Sequence, residues 1–488
     1  MKKILLAAGI LLAAASQPAL AESAEEQLAS RFRALETIID LRLARESVPG
    51  VAVGIVYDQQ LIWSHQYGIE SRRTKNPISD DTVFSICSIS KLFNGVAAMS
   101  LVDAGQLDLD SSLFDYIGDH APADNTDSET PATLRNVLSH VSGLPREGVD
   151  DFWADTGFPD VNALRESSSQ HQLLYQPYQH WQYSNLGMAL VGDVIATVSD
   201  SAWGAYVEET ILQPLGMKNT TTDMPFDIVG DGFARGHFVR DSKGWRNPVP
   251  EHQFRAYAPA AGMASSINDM AKFAAWHFRL RAAGGQEILK AATLKQMQRV
   301  HWVGPDFDEP AWGLAYATRR NGGKTLWGHG GYCPGTRADF VMRLPDKTAY
   351  IAMMTANDVA PSTYTSMAFD FVNALVGEVY GEDDALESEK MTTSADPDDL
   401  DLSEYEGHYR VPNYDWDFYA VIGDGKLHLI PIYGRDIAGS VDTLIHREAD
   451  TFYRERKDGS AGEPVIFERD DDGEIVSVTQ HSYRYTKQ

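Results

Sequence analysis

The sequence contains little cysteine and few basic side chains, and each shortage excludes a class of protein. Two cysteines in 488 residues, Cys87 and Cys333, are too few for a disulfide scaffold or a thiolate zinc site. Lysine and arginine total 42 against 69 aspartates and glutamates, which gives a formal net charge of −27. Such a surface repels nucleic-acid phosphates and anionic lipid, so we expect no nucleic-acid partner.

Metal-binding motifs are also missing from the sequence. It contains neither an H-E-x-x-H motif nor a paired Cys/His cluster, so we predict no metal site and no cofactor. The remaining composition is 43% hydrophobic and 23% charged. These proportions are typical of a globular protein that buries a large core.

The first 21 residues have the features of a secretory signal peptide. Lys2 and Lys3 precede an apolar run over residues 4–15, and an A-x-A sequence ends at Ala21. The apolar run is shorter than the ~20 residues that a membrane-spanning helix requires. We therefore expect cleavage after Ala21 and a periplasmic or secreted protein without membrane insertion.

Residues 22–380 are predicted to form one α/β domain. Strand-like runs at 51–57 and 61–67 predict one hairpin, and runs at 337–343 and 349–355 predict a second. The long segment between the hairpins is mostly helical in pattern. Because strands and helices do not alternate, we predict an α/β sandwich rather than a doubly wound parallel sheet. Its antiparallel sheet is assembled from both ends of the domain and flanked by helices, and a helical lobe is inserted between them.

An acidic linker over residues 381–400 separates this domain from a smaller one. The linker has many acids, one lysine and no apolar periodicity. Residues 401–488 contain seven or eight short strands between turn signals, which predicts a small antiparallel β-barrel. The pattern is compatible with a lid, a surface-binding module or a dimerisation element, and it leaves the oligomeric state open.

Three short motifs carry side chains suited to acyl transfer. Ser88-Ile89-Ser90-Lys91 opens a predicted helix and places an amine one turn from a serine hydroxyl. Tyr183-Ser184-Asn185 offers a phenol and an amide on a turn. His329-Gly330-Gly331 ends a strand-like run, where glycine permits close approach of a substrate and the N–H of Tyr332 can face the site. Taken singly, each motif also fits a plain helix cap, an aromatic turn or a glycine turn.

Together and in this order, the three motifs resemble those of the class C β-lactamases and DD-peptidases, which are penicillin-binding-protein-like serine hydrolases. Residues 133–145, 214–217 and 261–266 are similar to the same family, and the resemblance covers about residues 25–379. The start of the C-terminal domain, residues 402–410, is similar to a lipocalin-like domain that is appended to such hydrolases.

The resemblance implies a role for each motif residue. Ser88 would be the acylated nucleophile, with proton transfer shared between Lys91 and Tyr183, and either of the two could be the base. Asn185 would position the acyl side chain. The N–H groups of Ser88 and Tyr332 would form the oxyanion hole, beside Gly331.

His329 stands where the β-lactamases have a lysine. A histidine is largely neutral near pH 7, which disfavours penicillins and cephalosporins and favours other amides. We therefore predict an exported serine hydrolase that forms an acyl-enzyme with a small peptide, amide or ester. A peptidase or amidase, acting on D-residue or otherwise unusual peptides, is the leading hypothesis. The alternatives are a carboxylesterase or weak β-lactamase, and a non-catalytic cell-envelope binding protein.

Two smaller questions concern residues near the motifs. Glu147, Asp150 and Asp151 follow a Ser-Gly turn, and they either hold a substrate amine or are solvated loop acids. Cys87 and Cys333 adjoin the two residues of the oxyanion hole. Since only a minority of nearby cysteine pairs have the geometry of a disulfide, we expect two free thiols.

Overall fold

The computed structural model describes residues 23–118, 120, 122, 131–148, 152–304, 311–321, 323–380, 400–411, 417–423, 425–431, 441–456, 460–481 and 483–488. The predicted signal peptide and residues 381–399 of the acidic linker lie outside these described residues. The chain divides between Tyr380 and Gly381 into two compact units. Each unit is described by itself.

The first unit is built on an antiparallel sheet of seven strands among the described residues. In chain order, the strands of this unit are β1 (Gly50–Tyr57), β2 (Gln60–Gly68), β3 (Phe84–Ser85), β4 (His237–Arg240), β5 (Arg246–Pro248), β6 (Ala264–Ser265), β7 (Gln286–Glu287), β8 (Leu289–Lys290), β9 (Ala311–Trp312), β10 (Ala317–Asn321), β11 (Lys324–Cys333), β12 (Thr336–Arg343) and β13 (Thr348–Met354). The main sheet has the order β2-β1-β13-β12-β11-β10-β9, and β3-β6, β4-β5 and β7-β8 are separate pairs.

The main sheet confirms the predicted α/β sandwich. Both predicted hairpins are present, as β1–β2 and β12–β13. The pairing of β1 with β13, in register from Val51↔Met354 to Tyr57↔Thr348, joins the two ends of the unit. Because successive side chains of a strand point to opposite faces of the sheet, the sheet contributes side chains to two hydrophobic cores. Val51 and Val53 are buried in one core, and Ala52 is buried in the other.

Helices cover both faces of the sheet. In chain order they are α1 (Ala24–Glu46), α2 (Ser90–Asp103), α3 (Phe114–Ile117), α4 (Leu134–Leu138), α5 (Phe152–Asp155), α6 (Val161–Ser169), α7 (Asn185–Ser199), α8 (Trp203–Val207), α9 (Gln213–Leu215), α10 (Ala258–Ala261), α11 (Ile267–Ala283), α12 (Ala291–Met297) and α13 (Pro361–Tyr380). Helices α1 and α13 pack together on one face. On the other face lies the helical lobe, where α2 is buried from Ser90 to Leu101. None of the helices formed by the described residues is both long and apolar enough to cross a membrane.

Local sequence signals explain where several helices begin. The hydroxyl oxygen of Ser23 accepts a hydrogen bond from the Glu26 N–H, and Glu26 caps Ser23 in return. Thr133 and Ser266 cap α4 and α11 in the same way, through side-chain oxygens that accept backbone N–H groups. These caps satisfy N–H groups that have no partner within the helix.

The second unit is a closed antiparallel barrel, which confirms the predicted architecture. Its strands are β14 (Gly407–Arg410), β15 (Asp417–Gly423), β16 (Lys426–Pro431), β17 (Asp442–Glu448), β18 (Thr451–Glu455), β19 (Ala461–Arg469), β20 (Ile475–Gln480) and β21 (Tyr483–Lys487). The interior is filled by aromatic and aliphatic side chains, among them Tyr409, Phe452 and Phe467. A closed barrel leaves no strand edge unpaired, so even a small unit has a continuous core.

Candidate active site

Ser88 lies in a short 3₁₀ turn, Cys87–Ile89, that runs directly into α2. The turn is held from behind by Ser90, whose hydroxyl donates to the Cys87 carbonyl at 2.6 Å and accepts from the Met263 N–H at 3.0 Å. Cys87 has a φ of +52°, in the left-handed region. The packed helix thus fixes the backbone on which the Ser88 hydroxyl reaches the cavity described below.

Lys91 is fully buried one turn further along α2. Its Nζ lies 3.2 Å from Ser88 Oγ, 2.7 Å from Asn185 Oδ1 and 2.7 Å from the Ala260 carbonyl oxygen. Burial lowers the pKa of Lys91 well below its ordinary value, although the charge of Glu147 opposes this shift. None of the three contacts is a carboxylate, so among the described residues the ammonium form has no carboxylate in direct contact.

Tyr183 lies beside Ser88 and Lys91, two residues before the start of α7. Burial raises the pKa of its phenol above the ordinary value, and a hydrogen bond with Ser88 opposes the rise. Lys91 Nζ and the Arg146 guanidinium lie 4.8 Å and 4.9 Å from the centre of the Tyr183 ring. The phenol is therefore protonated near neutral pH. The positive charge of Arg146 also opposes the rise in the pKa of Tyr183.

Asn185 links Lys91 to an acidic side chain. Its Oδ1 accepts from Lys91, and its Nδ2 donates to Glu147 Oε1 at 2.5 Å. The Glu147 side chain is 22% exposed. Burial raises the pKa of Glu147, and the hydrogen bond from Asn185 opposes this. Of the three acids predicted after the Ser-Gly turn, Asp150 and Asp151 lie outside the described residues.

His329 is buried on β11 with its ring 6.1 Å from that of Tyr183. Its Nδ1 is 2.6 Å from the Gly330 carbonyl oxygen. Burial, reinforced by the nearby Lys91, lowers the pKa of His329 to about 3. His329, which stands where the β-lactamases have a lysine, is thus an uncharged imidazole at neutral pH.

Gly331 also has a packing role, which the sequence did not indicate. A Cβ at this position would collide with the Ile86 carbonyl oxygen and lie 3.0 Å from Cys87 Cβ. The absence of a side chain at Gly331 therefore lets β11 pack directly against the 3₁₀ turn that carries Ser88. It also leaves room for a substrate to approach the strand. Tyr332, the next residue, is 60% exposed at the rim of the cavity.

Cys87 and Cys333 form a disulfide, so the expectation of two free thiols is wrong. The close packing at Gly331 brings the two Cα atoms to 5.6 Å, within the range that a disulfide spans. Both cysteines are buried. The bond ties the segment of Ser88 to the strand that carries Tyr332.

One cavity of about 1130 Å³ collects the predicted site residues. Ser88, Tyr183, Asn185, His329, Gly331 and Tyr332 all line it, and Lys91 lies behind them. The sequence analysis missed the aromatic wall formed by Trp181 and Trp312, whose rings stack at 5.4 Å. Trp181 is only two residues from Tyr183, and this closeness in sequence is a weak indication that Trp181 lies at the site. Trp312 comes from β9, and nothing in its local sequence indicates the contact.

A serine, a buried amine and a phenol that converge on a cavity beside an antiparallel sheet define a serine hydrolase of the β-lactamase fold. The family model described as "Beta-lactamase" matches residues 35–372, and the chain belongs to this family. The family comprises serine hydrolases, and the class of enzyme predicted from the three motifs is confirmed.

Several known proteins are similar to this chain. Penicillin-binding protein 4 of Amycolatopsis lactamdurans is 26% identical over 391 residues, covering 78% of this chain and 96% of the relative. Beta-lactamase-like protein 2 of Dictyostelium discoideum is 30% identical over 237 residues, or 46% of this chain, and the match spans less than half of that relative (43%). The octameric penicillin-binding protein homologue from Pyrococcus abyssi has the same fold, with a TM-score of 0.61 at 20% identity, over 93% of this chain and 99% of that one.

Proposed function

We propose that the protein is an exported serine amidase or peptidase that forms an acyl-enzyme on Ser88. The observation that carries the proposal is the environment of Lys91. Two of its three polar contacts, Asn185 Oδ1 and the Ala260 carbonyl oxygen, can only accept hydrogen bonds. A neutral amine has two hydrogens for these acceptors and one lone pair, which is left for the Ser88 hydroxyl. Lys91 is therefore the base in our proposal.

The reaction then follows from the contacts around Ser88. Lys91 takes the hydroxyl proton as Ser88 Oγ attacks the substrate carbonyl, and the N–H groups of Ser88 and Tyr332 stabilise the oxyanion. Tyr183 donates its proton to the leaving nitrogen, and the proton held by Lys91 restores the phenol. The C–N bond breaks and the acyl group remains on Ser88. Water releases it by the same proton transfers in reverse.

Glu147 supports an acyl group that carries a free amine. The carboxylate lines the cavity beside Asn185, and with only 22% of its side chain exposed it is not a solvated loop acid. The carboxylate already lies 3.5 Å from Arg146 Nε, and an ammonium group on the acyl part of the substrate would add a second cation where water is largely excluded. We therefore propose α-aminoacyl amides, including those of D-residues, as the substrate class.

Export is the part of the proposal that rests on sequence features alone. The basic start, the short apolar run and the A-x-A end of residues 1–21 favour cleavage after Ala21. Expression of the full chain in a bacterial host, followed by intact mass of the protein in the periplasmic fraction, tests this step. A protein that keeps residues 1–21 would contradict it.

The acyl-enzyme is tested by labelling with an excess of a fluorophosphonate. We expect one adduct per chain, mapped by peptide mass spectrometry to the peptide that contains Ser88. The Ser88→Ala variant should take up no label. An active wild-type enzyme that remains unlabelled, or is labelled elsewhere, would refute the assignment of the nucleophile.

The substrate class is tested with a D-aminoacyl 4-nitroanilide and its N-acetylated form, with a 4-nitrophenyl ester and nitrocefin as comparisons. Loss of a hydrogen bond to a charged group costs about 1.5–3 kcal/mol, so we expect roughly a 10- to 150-fold preference for the free amine. Glu147→Gln should remove most of it, whereas Glu208→Gln, at an exposed glutamate outside the cavity, should not. Equal rates on both anilides in the wild type would refute the role of Glu147. Turnover of the ester or of nitrocefin with no detectable hydrolysis of either anilide would favour the esterase or β-lactamase alternative.

A further inference from the structure

The two ring nitrogens of His329 have different surroundings. Nδ1 lies 2.6 Å from the Gly330 carbonyl oxygen. A carbonyl oxygen can only accept a hydrogen bond, so Nδ1 must carry a hydrogen. Nε2 is buried and has no hydrogen-bond partner among the described residues. In the neutral ring, Nε2 is therefore a buried acceptor without a donor.

The acceptor is placed beside the group that handles the leaving atom. His329 and Tyr183 both line the cavity with Ser88, and the rings of His329 and Tyr183 are 6.1 Å apart. In the proposed mechanism Tyr183 protonates the leaving nitrogen, so that nitrogen must come close to the phenol and hence to His329. A lysine at this position would offer donors and a positive charge. The imidazole instead offers a lone pair, which attracts an N–H group and repels a carboxylate.

We propose that Nε2 of His329 accepts a hydrogen bond from the N–H of the scissile amide and thereby selects secondary amides. Esters and β-lactams have no hydrogen on the leaving atom, so they cannot make this bond and leave the buried acceptor unpaired. The bond also orients the reaction. When Ser88 attacks the carbonyl, a lone pair develops on the amide nitrogen. Because the N–H bond points at His329, this lone pair points away from the imidazole, and Tyr183 can protonate the nitrogen. This inference rests on the proposed amidase function.

The test uses three substrates with the same acyl group: an anilide with N–H, the N-methyl anilide and the phenyl ester. The measured quantity is the ratio of kcat/KM for the anilide to kcat/KM for each of the other two. We expect His329→Leu to lower both ratios about tenfold, which corresponds to about 1.4 kcal/mol. The control is His301→Gln, at a half-buried histidine that does not line the cavity, and it should keep the wild-type ratios.

A second variant keeps the inference testable if His329→Leu does not fold. His329→Lys places a donor where the wild type has an acceptor, so both ratios should fall at least as far, and hydrolysis of the carboxylate-bearing nitrocefin should rise relative to the anilide. Ratios in both variants equal to those of the wild type would overturn the inference while leaving the amidase function intact. A wild type that turns over none of the three substrates and takes no label on Ser88 would refute the proposed function, and the inference with it.

Discussion

The disulfide between Cys87 and Cys333 is expected to contribute strongly to the stability of the first unit. The two residues are 246 positions apart, so the bond closes most of the unit into one loop. In the chain-entropy model a loop of this length is worth about 5.5 kcal/mol at 25 °C, and removal of a native disulfide typically costs about 2–5 kcal/mol. The double change Cys87→Ala and Cys333→Ala should therefore lower the free energy of unfolding by several kcal/mol.

Urea unfolding followed by tryptophan fluorescence measures this loss. Nine of the ten tryptophans precede residue 381 and only Trp416 lies in the C-terminal segment, so the signal reports the first unit. Each single cysteine variant breaks the same bond as the double variant. All three should therefore unfold at similar urea concentrations, well below the wild type. Adding a reductant to the wild type in urea should produce the same shift.

Two results would refute this reasoning. Two titratable thiols in the denatured, unreduced wild type would mean that the bond does not form in the protein. No thiols, combined with an unchanged unfolding midpoint in the double variant, would mean that the bond forms but that closing a loop of this length adds no stability. The first result would also restore the sequence-based expectation of free thiols.

Two further expectations concern the site itself. Burial lowers the pKa of Lys91, the proposed base, so kcat/KM should rise with pH as Lys91 loses its proton and reach a plateau well below the ordinary pKa of a lysine. Lys91→Met should cost about 10²- to 10⁴-fold in kcat, and near-normal turnover in this variant would exclude Lys91 as the base. Gly331→Ala forces a Cβ against the Ile86 carbonyl and should reduce both thermal stability and kcat, by about 1–3 kcal/mol in stability. Gly330→Ala is its control, since the nearest atom to a Cβ there is the side-chain nitrogen of Arg319 at 3.2 Å and no backbone atom lies closer than 3.9 Å. Equal losses of stability in the two alanine variants would contradict the packing argument.

Much of the fold was predictable because its signals are local. The strands of both hairpins are rich in β-branched and aromatic residues and are joined by short turns, and several barrel strands are separated by Gly-containing turns. The segment 225–259 has no such pattern in its sequence, yet it contains the hairpin β4–β5. Arg246 anchors this hairpin through bonds to the Ser47 and Glu46 carbonyl oxygens, about 200 residues away. A contact of that separation leaves no local pattern.

The site residues also differ in how far the local sequence predicts their positions. Ser88 and Lys91 were predictable as a pair because residues three positions apart lie on the same face of a helix. The juxtaposition of Tyr183 and His329 came from the family resemblance, since no spacing rule joins positions so far apart. The disulfide was missed because the general rarity of suitable cysteine pairs outweighed one detail. That detail is the glycine at 331, which lets β11 approach the turn of Cys87 and Ser88 closely enough for the disulfide to form.

Burial determines the electrostatics of this site as much as any single contact does. The same desolvation lowers the pKa of Lys91 and His329 and raises that of Tyr183, so burial favours the neutral form of all three side chains. In the proposed mechanism, proton transfer from Ser88 to Lys91 creates an ammonium and an oxyanion together, a few ångströms apart. A low-dielectric site penalises either charge alone but strengthens the attraction between the two. The arrangement therefore stabilises the transition state more than the resting enzyme, which is the condition for catalysis.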